Sequence, residues 1–214
     1  MGVLKTFAFF LLLPCVQSCL GQSDGNLIAT GDWSEEVESV MATTATRGGD
    51  SCWLRGRLVV YDDQSQTAGN HARVFLELQH VFHGEWGRPA EVYFDLGSNE
   101  LHFDLRNAHD EPIPTTGGKF GGADPSPFWV TLPCESSVRL RADTYFRGHP
   151  WKPEGLEILV NGMSLWIIPP NATGDFFLSA TFTPPKDHPS HLNYYVWQGT
   201  LKLPKVKIPV PKKP

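Results

Sequence analysis

The chain has 214 residues, of which 23 are Asp or Glu and 18 are Lys or Arg, with 20 Gly, 18 Pro and 12% aromatic residues. Apolar residues at 41% are too plentiful for a disordered chain and no heptad persists for a coiled coil, while the Gly and Pro content favours a turn-rich β protein. All acidic residues fall between Asp24 and Asp187. With Lys5 and the terminal Lys202, Lys205, Lys207, Lys212 and Lys213 set aside, only a dozen basic residues face them, a balance that repels phosphate backbones and argues against nucleic acid as a partner.

The first elements are targeting signals. Lys5 supplies a positive start, Phe7 to Leu13 a short apolar core, and Val16-Gln17-Ser18 a cleavage site, so residues 1–18 read as a signal peptide and the mature chain is expected outside the cytoplasm. The apolar run is too short to span a bilayer. Val16-Gln17-Ser18-Cys19 resembles the lipobox of bacterial lipoproteins, which implies an acyl group on Cys19 and membrane attachment through that lipid alone. Gln17 departs from the favoured residue, and an ordinary secretory signal followed by release is the alternative. Residues 19–32 read as a leader or linker, 33–210 as one domain and 211–214 as a basic tail.

In the domain, one segment reads two ways: Trp33, Val37, Val40 and Met41 are spaced for a helical face with Ser34 as N-cap, whereas the threonines and alanine that follow favour a strand. Short strands follow. Leu54, Leu58 and Val60 share a face within Cys52 to Tyr61, interrupted by Gly56; Val74, Leu76, Leu78 and His80 share one within Arg73 to Val81, with Glu77 and Gln79 opposite. Val92 to Asp95 and Leu101 to Arg106 read as strands, and Asn107 to Pro114 as a turn. Beyond the Gly/Pro-rich loop Thr116 to Pro127 come strands at Phe128 to Leu132, Val138 to Ala142, Leu156 to Val160 and Leu165 to Ile168, the last two joined at Asn161-Gly162. Phe176, Leu178, Ala180 and Phe182 alternate in the next, and Tyr194 to Val210 closes the domain as an edge or sheet-switching strand because of Pro204 and Pro209. About ten strands with no strong helix predict an all-β antiparallel sandwich.

Chemistry-bearing motifs are sparse. There is no Gly-x-Ser-x-Gly elbow, His-Glu-x-x-His helix, phosphate loop or Cys-x-x-Cys, so no catalytic residue, metal or cofactor is expected. His80 and His83, three apart on a strand, face opposite ways; His188 and His191 lack identifiable co-ligands; Asp95, Gly97, Asn99 and Glu100 lack the spacing of a calcium loop. Cys52 and Cys134 either pair in an oxidising compartment or pack as separate buried thiols. Trp86 and Trp151 sit in loop sequence, where they either cover the ends of the core or contact a sugar or protein, whereas Trp53, Trp129, Trp166 and Trp197 read as packing residues. Asn171-Ala172-Thr173 is a glycosylation sequon wherever the host modifies exported chains.

The runs Trp33-Ser34-Glu35-Glu36-Val37, Val74 to Gln79, Thr131-Leu132-Pro133, Gly174 to Phe182 and Trp197 to Pro204 together resemble exported immunoglobulin-like proteins of bacteria with no settled function. A more distant similarity, at Val74 to Gln79, is to the intracellular proteinase inhibitor type of sandwich, from which the export signal departs. Phe176 and Phe177 stand where a tyrosine corner would be expected. The resemblance implies an immunoglobulin-like sandwich in a non-catalytic envelope protein with a structural or protein-contact role. The alternatives are a carbohydrate-binding sandwich using Trp86 or Trp151, and an enzyme whose site assembles from distant loops.

Overall fold

Alternating apolar and polar residues pay out as strands throughout. The computed structural model describes residues 26–39, 52–62, 72–83, 90–94, 101–115, 128–149, 152–160, 164–168, 172–184 and 197–208. Twelve strands occur among them: β1 (Leu27–Thr30), β2 (Val37–Glu38), β3 (Trp53–Asp62), β4 (Ala72–Val81), β5 (Ala90–Phe94), β6 (Leu101–Asn107), β7 (Phe128–Leu132), β8 (Ser137–His149), β9 (Lys152–Val160), β10 (Ser164–Ile168), β11 (Phe176–Phe182) and β12 (Leu201–Ile208). No helix is present among the described residues.

All pairings are antiparallel. A seven-stranded sheet runs β1-β3-β4-β8-β9-β10, with β2 also paired to β3; a three-stranded sheet runs β12-β11-β6; and β5 pairs with β7. The chain therefore leaves the large sheet after β4, builds β5, β6 and β7, and returns at β8. Side chains from all three sheets meet in one apolar core, including Leu54, Leu58 and Leu78 from the large sheet, Leu105, Leu178 and Leu203 from the three-stranded one, and Val92 and Leu132 from the pair. Each such side chain, fully withdrawn from water, contributes about 1.5–3 kcal/mol.

Gly56 marks the closest approach of the layers. A Cβ built there would lie 2.7 Å from Leu203 Cδ2 and 3.3 Å from Leu201 Cδ1, so its hydrogen admits β12 against β3. At the other side of β12, the register slips between Leu178↔Val206 and Ala180↔Leu203, leaving Pro204 and Lys205 opposite the single residue Ser179. Proline has no N–H for the ladder, and a bulge on an edge strand is where that loss is tolerated. β12 is the edge of its three-stranded sheet, as Pro204 predicts.

Three expectations change. The helical reading of Trp33, Val37 and Ser34 gives way to extended chain ending in β2, since Ser34 binds β3 instead of capping a helix: its N–H donates to Gly56 O at 2.8 Å and its Oγ accepts from Gly56 N at 3.0 Å. Val40 and Met41 lie outside the described residues. β1 falls within residues 19–32, read as a leader, and pairs with β3 at Thr30↔Val59, so the sheet begins before Trp33. The closing strand starts only at Leu201; Trp197 precedes it, fully buried, its indole donating to Val37 O at 3.2 Å. The turn after β6 matches expectation, with Asn107 Oδ1 accepting from the N–H groups of His109 and Glu111.

Candidate functional site

Every second residue of β3 and β4 points away from the core, and the ladder sorts those side chains into rows. Arg57 is the partner of Glu77 on β4, and Glu77 is the partner of Arg139 on β8; one step along, Arg55 is the partner of Gln79. The rows bond as the register places them. Arg57 Nε donates to Glu77 Oε2 at 3.1 Å, Arg139 Nη2 lies 3.6 Å from the same oxygen, and Arg55 Nε donates to Gln79 Oε1 at 2.8 Å. Glu77 thus lies between two guanidiniums with a side chain only 10% exposed, which supplies the compensation a withdrawn carboxylate requires.

Aromatic rings complete this face. Trp33, carried by the extended segment that Ser34 fastens to β3, lies under two guanidiniums, with Arg57 Cζ 4.3 Å and Arg55 Cζ 5.0 Å from its ring centre. Arg139 Cζ stands 4.9 Å from the Tyr61 ring, which meets Phe75 edge to face at 5.4 Å. At the far end Glu36 reaches both Arg55, at 3.7 Å, and His83 Nε2, at 2.5 Å, and His83 meets Trp53 edge to face. Cation–π contacts at such half-exposed positions contribute about 0.5–1 kcal/mol each.

The sequence pattern places Glu77 and Gln79 outward and Trp33 on a helical face, but assigns no role to Arg55, Arg57, Tyr61 or Arg139. The signal was there in Trp53-x-Arg55-x-Arg57, an alternation of large cationic and aromatic residues on the polar face of a strand. What the sequence could not supply was the neighbour across each rung.

His80 is 2% exposed on the core face, its Nδ1 3.2 Å from Leu132 O, while His83 is exposed and lies two residues beyond the end of β4, so strand alternation does not govern the pair. No group of three or more His, Cys, Asp or Glu side chains placed to hold a metal occurs among the described residues. Trp166 and Trp197 are buried, whereas Trp53 and Trp129 are half-buried. Cys52, immediately before β3, is buried, and Cys134, in the turn from β7 to β8, is half-buried; both carry thiols. Burial, and secondarily the charge of Cys134, push the Cys52 thiol up to about 12. Cys19, Trp86, Trp151 and Asn171 lie outside the described residues, as do His188, His191, Gly97, Asn99, Glu100 and Asp95.

A second polar cluster surrounds Arg106, whose Nε donates to Asp104 Oδ2 at 2.6 Å and whose Nη1 donates to Asp110 O at 2.9 Å. It braces the turn after β6, where Asp110 holds a φ of 63°. No family model, curated protein or solved structure matches this chain.

Proposed function

We propose that this chain is a non-catalytic, exported domain of the immunoglobulin-like sandwich class, either lipid-anchored at Cys19 or released, and that it serves structure or protein contact through the outer face of its seven-stranded sheet. The observation that carries this reading is the row Arg57–Glu77–Arg139 with Trp33 and Tyr61 against it. Withdrawing the Glu77 carboxylate from water costs much of what its two ion pairs return, so stability is a weak reason for such a network. Arg, Trp and Tyr are the residue types that dominate the energetics of protein interfaces, and here their rotamers are held in advance by neighbours, which lowers the ordering cost of an encounter.

The test is photocrosslinking in the cells that make the protein, with a photoreactive side chain at Arg139 and a control at Lys202 on β12. Adducts to another protein from position 139 and none from 202 support the contact face; equal labelling from both, or none from either, overturns it. Mass spectrometry of the mature amino terminus tests export, since acylated Cys19 or a terminus just beyond Ser18 supports it and retention of residues 1–18 does not.

A further inference from the structure

Two cysteines 82 positions apart in sequence are brought to one end of the core by strand register. Cys52 lies two residues before Leu54, whose ladder partner is His80. Cys134 lies midway between Leu132 and Ser136, and both of those residues bind His80: Ser136 O accepts from His80 N at 3.0 Å and Leu132 O stands 3.2 Å from His80 Nδ1. His80 is therefore the shared neighbour of the two cysteine-bearing segments. The turn that carries Cys134 is tight, closed by Ser136 N–H and Ser136 Oγ on Pro133 O at 3.1 and 2.6 Å, with Glu135 at a φ of 59°. Within it, Cys134 lies near enough for its charge to act on the Cys52 thiol.

We infer that Cys52 and Cys134 are a built disulfide site, which on oxidation ties the start of β3 to the β7–β8 turn, with Cys134 as the entry thiol and Cys52 as the resolving one. Access sets the order, because Cys52 is 7% exposed and Cys134 is half-buried. With a small disulfide such as oxidised glutathione as oxidant, the Cys134 thiolate attacks one sulfur, forming a mixed disulfide and expelling one glutathione thiolate. The Cys52 thiolate then attacks the Cys134 sulfur and expels the second. Two protein thiols lose two electrons, one small disulfide gains them, and the two cysteine protons end on the two released thiols. Scarcity of the Cys52 thiolate makes the second step the slower one, so the mixed disulfide accumulates first and resolves faster as pH rises.

The full chain, reduced and then incubated with oxidised glutathione, is digested with trypsin without reductant and mapped by mass spectrometry. The expected product joins peptide 48–55 to peptide 120–139, and its formation raises the thermal midpoint by about 10 °C, reversed by dithiothreitol. Cys52→Ala should retain a glutathionyl group on Cys134, whereas Cys134→Ala should leave Cys52 unmodified. A persistent mixed disulfide in the wild type with no 48–55 to 120–139 product overturns the site. Modification of Cys52 in Cys134→Ala as fast as Cys134 reacts in Cys52→Ala overturns the order. Neither readout depends on the contact face proposed above.

Discussion

The two faces of β3 come from alternate residues of one ten-residue segment, yet they obey different physics. Inward, Leu54, Leu58 and Val60 are fully buried and Gly56 has no room for a methyl group. Outward, Arg55 and Arg57 keep water contact while sharing Trp33, Gln79 and Glu77. The inner face is held by shape and the outer by mutual charge and ring contacts, which relax when one partner is lost. The lesson is that the same strand should be intolerant of small volume changes on one side and forgiving on the other.

Leu58→Ala tests the inner face most severely, with an expected loss of about 2–5 kcal/mol in denaturant unfolding. Gly56→Ala, which adds a single carbon, should still cost about 1–3 kcal/mol because that carbon meets Leu203 and Leu78; a neutral result would mean that the layers separate easily. At the inner edge the reduced protein should show a pH slope. Cys52 keeps its proton longer folded than unfolded, so stability is unaffected below about pH 9 and falls by up to about 1.4 kcal/mol per unit as pH rises toward about 12. Comparing alkaline melts of wild type and Cys52→Ala, both under reductant, isolates that slope.

On the outer face Glu77→Gln should cost only about 1 kcal/mol, and part of that cost should vanish when salt is raised, since it reflects two guanidiniums left facing each other. Trp33→Ala is expected to be the mildest, at about 1 kcal/mol or less in a thermal melt, with secondary structure by circular dichroism unchanged. Should Trp33→Ala prove as damaging as Leu58→Ala, the contrast between the two faces fails.

Much of the fold is legible in local pattern. β11 was delimited correctly as Phe176–Phe182 because its alternation of buried and half-buried residues is uninterrupted, and β7 at Phe128–Leu132 because a Gly/Pro-rich loop precedes it and Pro133 follows. The segment after Gly31 reads two ways in the sequence for a physical reason: a four-residue spacing of Trp33 and Val37 satisfies a helix, but the hydrogen bonds of Ser34 to Gly56, 22 residues away, are worth more than a short isolated turn. The polar face escaped notice because Arg57, Glu77 and Arg139 are separated by 20 and then 62 positions.

By itself the sequence determined that this is a strand-built, turn-rich protein, with edges marked by proline and core positions marked by period-two alternation, because those signals are read over a few neighbouring residues. Only the tertiary structure decided which strands are neighbours, which arginines share a carboxylate and that the segments bearing Cys52 and Cys134 share His80 as a neighbour. Those outcomes depend on register between distant segments, and register is set by how two buried faces fit, a quantity that no single stretch of chain contains.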